Sequence, residues 1–336
     1  MIMPPSYLLF MITLFLGSFL SISSSSWLSA WIGLELNLLS FIPLICISSN
    51  PYYSEAALKY FLIQAVASTM IVMSSSLQFF SDSIYSFILI LSLMMKLGAA
   101  PFHFWFPQVM EGLSWAQASI LLSIQKLAPF YLISFLTYNP QLINLIFFSS
   151  ALSSIFGALG GFNSLKLRKI LAYSSINHMS WMLLAITVDE MLFFTYYSFY
   201  ILISFSVVFL FSLFRAVNFN ELLNSNLTNS ALIFLIPISM FSLGGLPPFT
   251  GFIPKWLMVQ VLMNNGMYTL LTILFLSALI TLFFYIRITI PFVLMAFPSA
   301  SSNFKYFKLT YKNFLIFIFY FFNFLSFFLP LPFMLF

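Results

Sequence analysis

The chain has few charged residues. Only 12 Lys or Arg and 7 Asp or Glu occur among 336 residues, so 6% of the chain is charged, where a soluble domain has roughly 25%. Hydrophobic residues make up 62%, and the mean hydropathy is +1.06. A soluble globule of this length could not bury so much apolar surface. The composition therefore predicts an all-α polytopic membrane protein.

Cysteine and nucleotide-binding motifs are also scarce. The single cysteine, Cys46, excludes an internal disulfide and any cysteine-only iron–sulfur cluster within this chain. There is no Walker A motif and no Rossmann glycine fingerprint. No basic region precedes the first apolar stretch, so we expect no cleaved signal peptide. Such a chain needs a partner or an ion gradient as its source of energy.

Long apolar runs are the dominant feature that is present. They predict about eleven transmembrane helices, each near the ~20 residues that cross a bilayer. The ninth run is too long for one helix, and Gly244, Gly245, Pro247 and Pro248 interrupt it, so we expect two half-helices around an unwound loop. We treat 1–336 as a single transmembrane domain. The predicted spans are 5–22, 27–47, 55–78, 84–105, 113–136, 141–161, 170–188, 191–214, 230–264, 267–290 and 313–335.

The basic residues divide cleanly between the connections. The odd-to-even connections carry no Lys or Arg, and instead carry Asp82, Asp189 and Glu190. By the positive-inside rule, the N-terminus lies inside and the C-terminus outside. The net charge of +5 thus follows membrane topology and does not indicate nucleic acid binding. On or beside the even-to-odd connections lie Lys59, Lys166, Arg168, Lys169, Arg215, Arg287, Lys305, Lys308 and Lys312.

A short motif occurs twice. The run Leu97–Phe102 resembles the run Leu243–Phe249, and each is followed by a further proline. The two runs lie five spans apart, so they have opposite orientations in the membrane. Paired interrupted segments in inverted halves indicate a transport site. Because the match is short and apolar, a chance similarity stays open.

Four ionisable side chains, Glu35, Lys96, Lys126 and Lys255, lie inside the apolar runs. A charge at membrane depth costs at least ~2.5–3.5 kcal/mol, so its default interpretation is a functional site. We expect Glu35 and Lys96 to pair within hydrogen-bond or single-water distance, because pairing reduces the desolvation cost of both. The alternatives are a protonated Glu35 capped by Asn37 or a serine, and lysines that only form structural ion pairs.

The remaining candidates are less specific. Lys255 follows the interruption of the ninth span, where the positive end of a half-helix disfavours a second cation. We expect ordered water to link it to Lys126. The only histidines are His103 and His178. Each could be a hydrogen-bonded structural residue or a proton relay, since histidine titrates near neutral pH. A bis-histidine haem is disfavoured because the two lie at different depths.

Several runs together resemble a known family. They cover nearly the whole chain and are similar to the subunit 2 family of mitochondrial NADH–ubiquinone oxidoreductase (respiratory complex I), an antiporter-like family. The runs Lys96–Trp105 and Gly244–Trp256 are the most specific. In this family the animal mitochondrial members have eleven helices and the bacterial relatives fourteen. The other matching runs are Trp31–Asn37, Lys59–Phe61, Gln125–Pro129 and Ser174–Met179.

The resemblance implies a role in proton translocation. The glutamate–lysine pair of the family maps to Glu35 and Lys96, its central lysine to Lys126 and its broken-helix lysine to Lys255. Its relay histidine maps to His178, and His103 matches its phenylalanine–histidine–phenylalanine run. The residues around His178 depart from the small residues that the family pattern suggests.

The resemblance also implies the setting. The chain would lie in the mitochondrial inner membrane among other membrane-arm and accessory subunits and lipids such as cardiolipin. It would carry no cofactor, because NADH, FMN, iron–sulfur clusters and ubiquinone would be handled by other subunits. Two other functions stay open. One is a free-standing cation or proton antiporter, and the other is a purely structural membrane subunit.

Overall fold

The computed structural model describes residues 5–46, 50–78, 82–224, 230–299 and 321–323. Fourteen α-helices occupy most of these ranges, as the all-α prediction requires. They are α1 (Pro5–Ser23), α2 (Trp27–Ile45), α3 (Pro51–Leu77), α4 (Asp82–Leu97), α5 (Trp105–Gly112), α6 (Trp115–Leu122), α7 (Ile124–Ser134), α8 (Pro140–Phe162), α9 (Leu167–Val188), α10 (Glu190–Phe214), α11 (Phe219–Asn224), α12 (Ser230–Gly244), α13 (Phe252–Asn264) and α14 (Tyr268–Ser299).

Six of these helices, α1, α2, α3, α8, α10 and α14, are long and apolar enough to cross a membrane. Two shorter apolar stretches, Ser83–Leu97 and Phe234–Gly244, belong to α4 and α12. The polytopic class is therefore confirmed. The count of eleven stays a prediction, because the eleventh predicted span, 313–335, lies outside the described residues except for 321–323.

Three predicted spans are interrupted. The break predicted in the ninth span is confirmed, since α12 ends at Gly244 and α13 begins at Phe252. The fourth span does not continue to residue 105 as predicted. It ends at Leu97, because Gly98 adopts φ = +73°, which terminates a helix.

The interruption of the fifth span has a different cause. The residue between α6 and α7, Ser123, has φ = −112° and ψ = −90°, and no glycine or proline lies there. Its carbonyl accepts a hydrogen bond at 2.6 Å from the Tyr197 hydroxyl of α10. This tertiary contact adds to the local hydrogen bond that the carbonyl accepts from the Lys126 amide at 3.0 Å. Lys126 follows in the first turn of α7.

The repeated motif forms the same turn twice. Gly98 and Gly245 have φ values of +73° and +74°. In each copy the glycine amide and the next amide bond the same helical carbonyl, which is the hydrogen-bond pattern of a glycine C-cap. In both copies a proline lies three residues after the glycine, a phenylalanine four residues after it and a further proline nine residues after it. The bonds are Gly98 N–Met94 O (3.0 Å), Ala99 N–Met94 O (3.1 Å), Gly245 N–Phe241 O (3.0 Å) and Leu246 N–Phe241 O (3.2 Å).

Charged residues of two even-to-odd connections meet. The Glu111 carboxylate in the last turn of α5 accepts hydrogen bonds from Lys166 and from Lys169, the latter at 2.7 Å. Arg168 donates to the Glu111 carbonyl at 3.0 Å. Burial raises the pKa of Glu111, but the hydrogen bonds and positive charges of the two lysines outweigh burial and lower it. The contact places the fourth-to-fifth and sixth-to-seventh connections at one end of the bundle.

Candidate functional site

The four predicted intramembrane ions lie on four different elements. Glu35 is on α2, Lys96 in the last turn of α4, Lys126 in the first turn of α7, and Lys255 in the first turn of α13. Lys96 and Lys126 are only 6% and 2% exposed, whereas Glu35 and Lys255 are half-buried. Three of the four therefore lie at an end of a broken or shortened helix. Backbone groups freed at such ends can contact a buried ion.

Lys126 has no acidic partner among the described residues. The ion pairs among those residues are Lys59–Glu55 and the two pairs of Glu111. No described carboxylate therefore lies within 4.0 Å of the Lys126 ammonium. Lys126 Nζ instead donates to the Tyr200 hydroxyl at 3.3 Å. It also lies 4.9 Å from the ring centre of Phe106 and 5.2 Å from that of Tyr200. Aromatic faces stabilise a desolvated cation by roughly 2 kcal/mol.

A small polar cavity lies between Lys96 and Lys126. Its volume is about 20 Å³, which is enough for about one water. Besides the two lysines, the polar side chains of the lining are Asn37, Tyr60, Gln64 and Gln125. This cavity brings two of the predicted site residues to one space.

Side-chain amides tie the walls of this cavity together. Gln125 Nε2 donates to Asn37 Oδ1 at 2.9 Å, and the Tyr60 hydroxyl donates to Gln125 Oε1 at 3.1 Å. Gln64 Nε2 donates to the Lys96 carbonyl at 3.2 Å. These bonds connect α2, α3, α4 and α7 around the space that both lysines face.

Glu35 does not contact Lys96 directly. Their charged atoms are more than 4.0 Å apart, since no ion pair joins these two described residues. The sequence predicts an approach within hydrogen-bond or single-water distance. The direct contact is not formed between these two described residues, because Lys96 faces the amide-lined cavity and Glu35 is not part of its lining, and the single-water distance stays a prediction. The two groups still interact electrostatically. Glu35 Oε2 is buried without a hydrogen-bond partner among the described residues.

His178 lies between Lys126 and Lys255, and both lysines act on it electrostatically. Its Nδ1 hydrogen-bonds the Tyr196 hydroxyl at 3.0 Å. Its ring centre lies 5.2 Å from that of Tyr200, the residue that bonds Lys126. It also lies close to the backbone of Leu243, at the end of α12.

Lys255 reaches back across the break of the ninth span. Its Nζ donates to the Gly244 carbonyl at 2.7 Å. The side chain passes so close to Gly245 that a Cβ atom there would lie 2.7 Å from Lys255 Cδ. The positive φ of Gly245 and this contact both require glycine at this position. The turn thus fixes where the Lys255 ammonium lies.

His103 lies apart from the other candidates. Its ring stacks on Phe156 of α8 with centroids 4.9 Å apart, and it hydrogen-bonds the backbone of Pro101. Its Nδ1 is buried without a partner in the described part of the chain. No contact within that part joins it to the lysines or to His178. Its predicted part in proton transfer stays a prediction.

The structure adds groups that sequence reasoning missed. The high aromatic content, 20%, is typical of packing surface, yet Tyr196 and Tyr200 bond His178 and Lys126. Their spacing of four residues on α10 places both on one helix face. That spacing was the only available signal. No group of three or more potential metal ligands occurs within the described ranges.

Comparisons with known proteins show the family of this chain. The family described as "NADH:quinone oxidoreductase/Mrp antiporter, TM" matches residues 24–83 and 76–281. NADH-ubiquinone oxidoreductase chain 2 of Anopheles gambiae is 47% identical over 307 residues, which is 88% of this chain and 89% of that protein. The corresponding chain 2 of Aedes aegypti is 44% identical over 84% of each chain.

A solved structure shows the same fold. A chain of respiratory complex I from Thermus thermophilus with bound aureothin superposes with a TM-score of 0.78. The sequences are 24% identical, and the match covers 85% of this chain and 70% of that one. The fold described above is thus one that is already known in an assembled membrane complex.

Proposed function

The chain belongs to the transmembrane family of NADH:quinone oxidoreductase and Mrp antiporter subunits, in the group of NADH-ubiquinone oxidoreductase chain 2 proteins, and we propose that it translocates protons as a core membrane subunit of respiratory complex I. It would couple this transport to electron transfer from NADH to ubiquinone. The observation that carries the proposal is the series of buried cationic and polar groups from Lys96 through Lys126 and His178 to Lys255.

The arrangement supports stepwise proton transfer. The cavity between Lys96 and Lys126 has room for about one water, and hydroxyl, imidazole and backbone groups continue the series to Lys255. A lysine that lacks a carboxylate partner is not locked in its charged form. Each of these lysines can therefore bind and release a proton when a neighbouring charge changes.

The remaining parts of the proposal follow from family membership. The chain would carry no redox centre, so NADH, FMN, iron–sulfur clusters and ubiquinone would be bound by other subunits. Its partners would be other membrane-arm and accessory subunits and lipids such as cardiolipin. It would form a single domain, 1–336, in the mitochondrial inner membrane, with the N-terminus on the matrix side and the C-terminus on the intermembrane side. The segregated basic residues support that orientation.

The decisive test is Lys126→Met in the intact complex, reconstituted in liposomes. We expect fewer protons pumped per NADH and slower NADH–quinone turnover, with unchanged NADH oxidation by an artificial acceptor. Lys59→Met is the matched control, because Lys59 is exposed and pairs with Glu55 one turn away. Unchanged proton stoichiometry in Lys126→Met would refute the proposal. Transport by the purified chain alone would instead indicate a free-standing antiporter.

A further inference from the structure

Three buried tyrosines of α10 point their hydroxyls at polar groups. Tyr197 bonds the carbonyl of Ser123, at the break between α6 and α7. Tyr196 bonds His178 at 3.0 Å, and Tyr200 accepts the hydrogen bond of Lys126 at 3.3 Å. A helix that only packed against its neighbours would not need hydroxyls at these places. Phenylalanine, which is abundant in this chain with 46 residues, would serve equally well.

Tyr200 is the main partner of Lys126 among the described residues. It supplies both the hydrogen-bond acceptor and one of the two aromatic faces around the ammonium. A phenol can accept a hydrogen bond from an ammonium, and it can also donate one to a neutral amine. A carboxylate in the same place could only accept, and it would favour the charged lysine strongly. Tyr200 is thus suited to both protonation states of Lys126.

Tyr200 also attaches Lys126 to the helix of His178. Its hydroxyl lies close to the side chain of Ser175, and its ring centre lies 5.2 Å from that of His178. Ser175 and His178 are three residues apart on α9 and therefore lie on one face of that helix.

We propose that Tyr200 is the positioning residue of Lys126. The Tyr200 hydroxyl bonds both the ammonium and the neutral amine of Lys126, and it holds each of them on the side that faces His178. Tyr200 keeps its own proton throughout. The inference rests on the proposed function, because it assigns a role within the same proton path. It adds that α10 carries a residue on which transport depends.

The test is Tyr200→Phe in the intact complex, since this variant keeps the ring contacts and removes only the hydroxyl. A hydrogen bond to a charged group is strong enough that its loss slows a dependent step by about tenfold or more. We expect the kcat of NADH–quinone turnover, expressed per assembled complex, to fall by about that factor. The KM for quinone should not change. Fewer protons should be pumped per NADH.

Tyr285→Phe is the matched control. Tyr285 is equally buried and its hydroxyl lies close to Ser174, so the variant removes a hydroxyl from the same region without touching Lys126. It should retain normal turnover. Equal losses in Tyr285→Phe and Tyr200→Phe would overturn the inference, because any buried hydroxyl would then matter. In a Lys126→Met background, Tyr200→Phe should add no further loss, since the two residues act as one unit.

The outcomes separate the inference from the proposed function. If Lys126→Met stops pumping while Tyr200→Phe pumps normally, only the role of Tyr200 is refuted. If Lys126→Met pumps normally, the proposed function itself fails. A structure of the wild-type complex in which Lys126 Nζ bonds a carboxylate instead of Tyr200 would overturn the inference without any variant.

Discussion

Lys255 Nζ donates to the Gly244 carbonyl at the end of α12, and His178 lies close to the backbone of the preceding residue, Leu243. One residue further, Gly245 turns the chain with φ = +74°. The two ionisable groups therefore lie beside the same break of the ninth span. A small displacement of this turn would change the surroundings of both groups at once.

The first prediction concerns that turn. In Gly245→Ala the new methyl group would lie 2.7 Å from Lys255 Cδ and 3.0 Å from its Nζ, so we expect Lys255 to move away from the Gly244 carbonyl. Proton pumping per NADH should fall severalfold, as measured in liposomes containing the assembled complex.

Gly266→Ala is the control for backbone strain. Gly266 has φ = +68°, and a methyl group added there would meet no described atom within 4 Å. Alanine at this position therefore carries only the cost of the left-handed conformation, about 1–2 kcal/mol. It should pump normally. Normal pumping by Gly245→Ala would show that the contact with Lys255 is not needed.

The interrupted helices show what sequence could and could not predict. The break between α12 and α13 was predictable, because Gly245 and Pro247 in the local sequence disfavour a continuous helix. The break at Ser123 was not, because a hydroxyl of another helix, that of Tyr197, donates to its carbonyl. The buried lysines stand out as rare charges in apolar runs. Tyr200 does not, because its role depends on where α7 and α9 place Lys126 and Ser175.

The prediction for Glu35 shows a second limit. Desolvation costs indicate that two buried opposite charges should interact, and Glu35 and Lys96 do interact electrostatically. They do not indicate contact, because amides can satisfy the polar groups around a cation equally well. Lys96 faces the cavity lined by Asn37, Gln64 and Gln125 and makes no direct contact with Glu35.

The second prediction therefore concerns coupling across that space. In the intact complex, the effects of Glu35→Gln and Lys96→Met on turnover should be non-additive by at least about 0.5 kcal/mol, as expected for groups that interact. Glu55→Gln should combine additively with Lys96→Met, since Glu55 pairs with Lys59 instead. If the effects of Glu35→Gln and Lys96→Met were fully additive, neither a bridging water nor an electrostatic interaction would couple Glu35 to Lys96.

The third prediction concerns the charged cluster of Glu111. Because the folded pKa of Glu111 lies below its usual value, its contribution to stability is present above the ordinary carboxyl range and is lost as the pH falls through the lowered pKa. For partly exposed pairs this contribution is about 1 kcal/mol or less. Glu111→Gln should therefore lower the thermal stability of the subunit slightly at neutral pH. The stability difference between wild type and variant should shrink in acid, and a constant difference would contradict the assigned ion pairs.

The fourth prediction concerns topology. Lys166 and Lys169 are 48% and 34% exposed, and the positive-inside rule places them on the matrix side. A membrane-impermeant amine reagent should label them in inverted inner-membrane vesicles and not in mitoplasts. Labelling in mitoplasts would show that this connection lies on the intermembrane side and that the span count is wrong.

The last prediction concerns Lys255 itself. Its ammonium bonds the Gly244 carbonyl, a group freed by the break of the helix, and it acts electrostatically on His178. Lys255→Met removes the exchangeable proton and should impair pumping and coupled NADH–quinone turnover while NADH oxidation by an artificial acceptor stays intact. Lys255→Arg should impair pumping as well, because guanidinium stays charged and cannot release a proton. If Lys255 only had to be positive to hold the turn, the arginine variant would pump normally. Comparison of the two variants thus separates proton exchange from a purely structural charge, and normal proton stoichiometry in Lys255→Met would exclude both roles.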